Sequence, residues 1–330
     1  MKISILGGGG FLGRKIAAKL AKDGTLGGRH VTALTLFDTT EPPKPDAPFP
    51  VTSVGGDVVD LPETAIPPGT DVVFHLAAVV SAQAEADYDL GRRVNLRGTD
   101  AVIDRCRALG TRPRLVFTSS VASFSADQNS ILADNTRQIP GNSYGAQKAA
   151  AELILADASR RGFLDAVTLR LPTVIVRPGR PNKAASSCFS AIVREPLLGL
   201  DTELPVADDF AVWVCSPRRA VDWLLHAAAM DTSKMGLDRS IDPPGISTTV
   251  AHLLQALDAL APGASSHVKR VANETIAAIL STWPPAFEAL HARTLGFSAH
   301  EPVLDVIRAF IEDDLEATKA DRALRDAAAS

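Results

Sequence analysis

Lys2-Ile-Ser-Ile-Leu6-Gly7-Gly8-Gly9-Gly10-Phe11-Leu12-Gly13 is the stretch whose reading decides the fold. Lys2 to Leu6 reads as a first strand that runs directly into a glycine turn. Phe11, Leu12, Ile16 and Leu20 then recur at helical spacing, which predicts a helix over 11–22. Gly7, Gly10 and Gly13 give the spacing GxxGxxG between strand and helix. Gly7 permits a tight turn, Gly10 lets the backbone approach a pyrophosphate, and Gly13 lets the helix pack closely on the strand. An anion bound there meets unpaired N–H groups and the positive end of the helix dipole. A glycine-rich turn also serves purely structural ends, so context matters. Asp38 supplies it, twenty-five residues after Gly13 at the end of the second predicted strand. A carboxylate there binds both ribose hydroxyls of an adenosine and repels a 2′-phosphate, favouring NAD over NADP. The competing reading is a plain turn aspartate.

Working outward, short β-rich runs alternate with helical patterns. Strands are predicted at Val31–Phe37, Val51–Val54, Asp71–Leu76, Arg114–Ser119 and Ala166–Leu171, and helices at Ala86–Leu109 and Tyr144–Arg161. The proline-rich segment from Glu41 to Pro50 reads as a loop. Such alternation predicts βαβ units and an α/β fold, a doubly wound parallel sheet of Rossmann type. Residues 1–172 are expected to form the dinucleotide-binding domain. Residues 173–330 are expected to form a smaller substrate-capping region, partly interleaved with the sheet. It should hold a helix around Phe189, Ile192 and Val193, a strand at Ala211–Cys215 and a helix at Pro217–Ala229. A further helix should be capped by Ser247 and run to Leu260. An amphipathic helix through Leu304, Ile307, Phe310, Ile311 and Leu315 closes the chain, with a tail after Asp321 expected to fray.

Composition narrows the function. The 330 residues are 46% hydrophobic and 22% charged, with a net charge of −4 and no basic run, so no nucleic-acid partner is expected. No apolar stretch approaches the roughly 18 residues that span a bilayer, so no membrane partner is expected either. Cys106, Cys188 and Cys215 are few, odd in number and widely spaced, which predicts free thiols and no metal site. With no signal-peptide pattern at the start, the expectation is a cytoplasmic enzyme.

Tyr144-Gly145-Ala146-Gln147-Lys148 puts Tyr and Lys at i and i+4, on one helix face. A free tyrosine, with a pKa near 10, is a poor base at neutral pH. A neighbouring ammonium and a positive nicotinamide ring both favour phenolate. Lowering the pKa by about 3 units takes roughly 4 kcal/mol, within reach of two close positive charges in a desolvated site. Thr118-Ser119-Ser120 falls at the carboxyl end of the fifth strand, the edge where open α/β sheets bind ligands. Arg177 and Arg180 follow the sixth strand, where a guanidinium can hold a carboxylate through two hydrogen bonds. Ser81, Thr173, Asn182, Ser186 and Ser187 are candidates for binding substrate hydroxyls. Each of these is also readable as a solvated or bracing polar residue. Arg218, Arg219 and His75 read as structural, and Trp213 and Trp283 as core or lid.

Gly7-x-x-Gly10-x-x-Gly13, Asp57-Val58, His75-Leu76-Ala77-Ala78, Asn95, Ser120 and Tyr144-x-x-x-Lys148 occur in the order of the extended short-chain dehydrogenase/reductases, the NAD-dependent epimerase/dehydratase family, which this chain resembles. The resemblance implies that Phe11 and Leu12 follow the pyrophosphate turn and that Asp57 and Val58 contact adenine. It also implies that Leu76, Ala77, Ala78, Asn95 and Pro172 line the cofactor, NAD. Ser120 would orient the reacting hydroxyl and Tyr144 remove its proton. Lys148 would hold the ribose and lower the tyrosine pKa. Ser119 is the alternative serine; Ser120, twenty-four residues before Tyr144, fits the family separation better. Three stretches, His75–Asp87, Leu171–Gly179 and Arg180–Ser187, resemble the D-erythronate dehydrogenase group. That implies oxidation at C2 of a four-carbon sugar acid to the 2-dehydro acid. The family also implies a homodimer packed through the helices near Ala86–Leu109 and Tyr144–Arg161. A nucleotide-sugar epimerase or dehydratase, and a non-catalytic NAD sensor on the same fold, are the competing functions.

Overall fold

The computed structural model describes residues 1–179, 184–298 and 302–329, residues 325–329 as backbone alone. Seven strands form the central sheet: β1 (Lys2–Leu6), β2 (Ala33–Asp38), β3 (Val51–Gly55), β4 (Val72–His75), β5 (Arg114–Ser120), β6 (Asp165–Leu171) and a late strand, Ser240–Ile241. Their order is Ser240–Ile241, β6, β5, β4, β1, β2, β3, and every pairing is parallel. Parallel strands covered on both faces read as nearly continuous apolar runs, which is why these segments stand out in the sequence.

Helix α1 (Phe11–Asp23) covers one face, where Ile16 and Leu20 pack with Ile3, Ile5, Leu36 and Phe74. Helices α2 (Gly98–Leu109) and α3 (Ser143–Arg160) cover the other, with Val102, Cys106, Ala151 and Leu155 against Leu115 and Phe117. Strand order reverses between β1 and β4. The crevice outside the carboxyl ends at such a switch point is where sheets of this kind bind ligands.

Beyond β6 the chain serves both layers. A second sheet runs Thr173–Val174, Ala211–Cys215 and Ile246–Thr249, and its core joins Phe189, Val212, Leu253, Ile307 and Phe310. The helix Pro217–Ala229 returns to the central sheet, with Val221 and Leu224 in the same core as Ile16.

The structure corrects one local expectation and adds detail at two others. Ser247 does not cap a helix: it pairs with Trp213 in the second sheet, and Thr249 caps the helix Val250–Leu260 through the N–H of His252. The helix predicted over Ala86–Leu109 is continuous from Tyr88, with right-handed helical backbone through each junction. Asp87 caps its start by accepting the N–H of Leu90, and a π-helical segment at Arg93–Arg97 precedes α2. The last helix is Leu315–Ala329, and at its start Thr318 donates to the Asp314 carbonyl while Lys15 pairs with the Asp314 carboxylate at 2.7 Å. Cys106, Cys188 and Cys215 are free thiols.

Candidate active site

The glycine turn leaves no room for a side chain where it matters. Gly7 has φ +90°, and a Cβ on Gly13 would lie 2.2 Å from the Gly7 carbonyl oxygen. α1 therefore starts hard against the end of β1. Its N-cap is Gly10, which offers no capping side chain, and no acidic residue occupies its first turn. The helix N-terminus is left open to an anion. Gly7 also abuts Leu76 and Ala77, since a Cβ there would meet the Ala77 nitrogen at 2.8 Å. Asp38 reaches back to this turn. Its Oδ2 accepts the Gly9 N–H at 2.9 Å, and its Oδ1 accepts the Thr39 N–H at 2.8 Å. Oδ1 also accepts the Thr39 hydroxyl at 3.3 Å, so Oδ2 is the oxygen with lone-pair capacity left for a ribose hydroxyl. A glycine cradle, an uncapped helix start and a pre-aimed carboxylate fit a dinucleotide.

Asn95 turns out to be a brace. Its Oδ1 accepts the Val79 N–H at 2.8 Å, while its Nδ2 donates to the Val79 carbonyl and to Gln147 Oε1. It thus fixes the backbone after Leu76, Ala77 and Ala78. Asp57 caps Val59 and is paired with Arg93, and these contacts hold its carboxyl below the usual carboxylate range. Val58 is buried in the core beside Gly98, where an added Cβ would lie 2.7 Å from it.

α3 delivers the tyrosine and lysine. The Asn142 side chain caps the helix by accepting the Gly145 N–H at 2.8 Å. A Cβ on Gly145 would lie 1.8 Å from the Ala122 carbonyl oxygen, so only glycine lets α3 close onto the chain leaving Ser120. That approach puts the Ser120 hydroxyl beside the Tyr144 phenol. Ser119 faces the other way, its hydroxyl hydrogen-bonded to Glu152. Lys148, 2% exposed, donates from Nζ to the Thr118 carbonyl at 2.7 Å and sits over the Phe117 ring at 4.4 Å. The other two Nζ donors have no hydrogen-bond partner among the described residues.

Burial shapes the charges here. It pushes the Tyr144 phenol up to about 12, against which Arg177 and the Ser120 hydrogen bond pull it down. It pushes the Lys148 ammonium down to about 7, with Glu152 acting to raise it. His75 is held down at about 3 by burial and by Lys148. The Thr99 hydroxyl donates to the Asn95 carbonyl, so its oxygen accepts from His75 Nε2 at 3.1 Å. A neutral, fully buried imidazole of that tautomer is a structural group.

On the substrate side, Arg177 is half-buried with its guanidinium partly committed. Nε donates to the Val174 carbonyl and Nη2 to Ser186 Oγ, both at 3.1 Å, and Nη1 has no partner among the described residues. Ser81 Oγ accepts the Ala185 N–H at 3.1 Å, joining the segment after β4 to the cap. Thr173 Oγ1 is buried and unpartnered among the described residues. Pro172 follows β6 and faces Gly245. Arg180 and Asn182 lie outside the described residues. Arg218 ties its helix to Glu312 and Asp313, and Trp213 and Trp283 are buried in the cap core. The sequence reading missed Gln147, which completes the Asn95 brace, and the buried group Glu152, Arg170 and Asp242. Extending the Tyr144–Lys148 stripe by one more turn reaches Glu152; no local signal links it to the other two.

The fold and this constellation define a dinucleotide-dependent oxidoreductase site. Residues 3–214 match the NAD dependent epimerase/dehydratase family, and the chain belongs to that family. It is 44% identical over 320 residues to a D-erythronate dehydrogenase of Cupriavidus necator, covering 95% of this chain and 98% of that protein. A D-erythronate dehydrogenase of Haemophilus influenzae is 37% identical over 319 residues, covering 96% and 100%. Among solved structures, one described as a nucleoside-diphosphate-sugar epimerase from Agrobacterium tumefaciens superposes with a TM-score of 0.89 at 43% identity, covering 96% of this chain and 95% of that one. Among the described residues, no helix is long and apolar enough to cross a membrane.

Proposed function

We propose that the protein is an NAD-dependent dehydrogenase that oxidises the C2 hydroxyl of a small sugar acid, D-erythronate, to 2-dehydro-D-erythronate. NAD, when bound, supplies the hydride acceptor and a positively charged ring near the reacting carbon. Gly7, Gly10, Phe11, Leu12 and Gly13 hold the pyrophosphate, and Asp38 the adenosine ribose. Asp57 and Val58 border the adenine. Leu76, Ala77, Ala78 and Pro172 line the cleft, its backbone kept in register by Asn95. Ser120 orients the C2 hydroxyl and Tyr144 takes its proton. Lys148 binds the second ribose and, as an ammonium, favours the phenolate. Arg177 binds the substrate carboxylate, while Ser81, Thr173 and Ser186 complete the pocket wall; Arg180 and Asn182 are further candidates from the sequence. In this reading residues 1–172 carry the cofactor and the reacting groups, and residues 173–330 form mainly the cap, with Pro217–Ala229 and Ser240–Ile241 interleaved with the central sheet.

The observation that carries the substrate class is the half-buried Arg177 guanidinium, with Nη1 lacking a partner among the described residues and the group within electrostatic reach of Tyr144. A cation of this kind calls for an anion, and a carboxylate matches its planar fork. The names of the two curated relatives agree with that reading. The name of the Agrobacterium structure favours an epimerase, which returns its NAD to the oxidised form in every turnover. Incubating the protein with NAD and a panel of four- to six-carbon aldonates, then with nucleotide sugars, separates the two. NADH accumulation with D-erythronate and none with nucleotide sugars is the expected result. Nucleotide-sugar interconversion without net NADH overturns the proposal.

A cytoplasmic homodimer joined through α2 and α3 belongs to the same reading. Support comes from apolar side chains left on the outside of α3, Leu153 at 71% and Ile154 at 40% exposed. Sedimentation as a monomer at micromolar concentration would exclude it.

A further inference from the structure

Tyr144 and Lys148 belong to a longer stripe, because Glu152 lies one further turn along the same face of α3. Glu152 is 2% exposed, and a buried carboxylate is costly unless donors satisfy both its oxygens. Here they do. The Ser119 hydroxyl donates to Oε1, while Gln138 Nε2 at 3.1 Å and Arg170 Nε at 2.8 Å donate to Oε2. Arg170 spends Nη1 on Asp242 Oδ2 at 3.1 Å. The end of β5, the segment before α3, and β6 thus hold one carboxylate from several sides, and it cannot swing away. On its N-terminal side lies Lys148, with the Thr118 carbonyl and the face of Phe117 as its contacts and no carboxylate bonded to it. A buried ammonium in that setting is easily lost to deprotonation, and the nearest fixed negative charge decides whether it persists.

We propose, resting on the reaction read above, that Glu152 is a positioning residue: clamped by Ser119, Gln138 and Arg170, it fixes a negative charge one helical turn from Lys148 and holds that side chain charged and in place. Other groups facing the pair are accounted for. His75, from β4, is neutral, so it neither supports nor opposes the ammonium electrostatically. Arg170 opposes it and is itself offset by Asp242, whose carboxyl burial raises to about 7. Asp134 acts on Asp242 and Asp238 on Arg170 through space. Arg177 acts on Tyr144 from the cap side.

The sign of the expected effect follows. Removing the Glu152 charge lets Lys148 lose its proton at lower pH, so the alkaline limb of the kcat–pH profile moves toward acid. An opposite charge this close shifts a pKa by about 1–3 units, and the Arg170 counter-charge puts the effect at the lower end, about one pH unit. Glu152→Asp keeps the charge and restores most of the limb. Asp242→Asn, which removes the carboxylate that offsets Arg170, moves the limb the same way by less, and it serves if Glu152→Gln does not fold. A purely structural role predicts a lower melting temperature and a uniformly lower kcat with the limb unmoved. Tyr144→Phe, run in the same series, keeps this proposal separate from the reading it rests on. Loss of activity there, with an unmoved limb in Glu152→Gln and Asp242→Asn, overturns the role of Glu152 alone; full activity in Tyr144→Phe overturns the reaction itself.

Discussion

Replacing Arg177 by alanine tests the substrate reading most sharply. Two of its guanidinium nitrogens are held by the Val174 carbonyl and Ser186 Oγ, which leaves Nη1 pre-positioned for an incoming acid. Removing one partner of a largely desolvated charge pair costs about 2–5 kcal/mol, because the other charge is left without a counter-ion. The KM for D-erythronate should therefore rise by roughly 30- to 5,000-fold. A second effect has its own signature. Arg177 opposes the burial that raises the Tyr144 phenol, so its loss moves the rising limb of kcat to higher pH. Arg177→Lys keeps the charge without the planar fork; it should restore the limb but only part of the KM. The assay is NADH formation from D-erythronate and from its uncharged amide, across pH. A carboxylate contact predicts selective loss for the acid. Equal losses for acid and amide would refute it and reduce Arg177 to a brace between Val174 and Ser186, with Arg180 the next candidate.

Tyr144→Phe should lower turnover by at least about 10²-fold while NADH affinity, followed by fluorescence, stays close to the starting value; a folded variant with near-normal turnover removes Tyr144 from the mechanism. Asp38→Ala gives up carboxylate hydrogen bonds to a ribose, each worth about 1.5–3 kcal/mol, and removes the repulsion of a 2′-phosphate, so the ratio of kcat/KM for NAD over NADP should fall by roughly 10- to 100-fold. An unchanged ratio would mean that another residue reads the ribose. Gly13→Ala forces a methyl to within 2.2 Å of the Gly7 carbonyl oxygen. Backbone displacement of that kind costs about 1–3 kcal/mol, and NADH titration should find the affinity lost along with a lower Tm; undiminished affinity would contradict the tight helix start described here.

The sequence by itself determined the features whose cause is local. A strand buried on both faces must be apolar along its length, so β1, β2, β4, β5 and β6 announce themselves within a residue or two. The helix Pro217–Ala229 is equally plain, with proline at its first turn. A close backbone approach demands glycine, so Gly7, Gly10 and Gly13 point to the turn, and helical periodicity alone puts Tyr144 and Lys148 on one face. Where competing partners decide, the local signal misleads. Ser247 is a good helix cap by type, yet hydrogen bonding with the strand at Ala211–Cys215 draws residues 246–249 into a sheet and passes the cap to Thr249. Spacing to Tyr144 favoured Ser120 over Ser119, and the tertiary structure adds the physical difference, with Ser119 turned to Glu152 and Ser120 beside Tyr144. The tertiary structure alone joined Glu152 to Arg170, 18 residues on, and Arg170 to Asp242, a further 72. Such contacts are set by where strands lie in the sheet, and charges buried there interact strongly because water is excluded, whatever their separation along the chain.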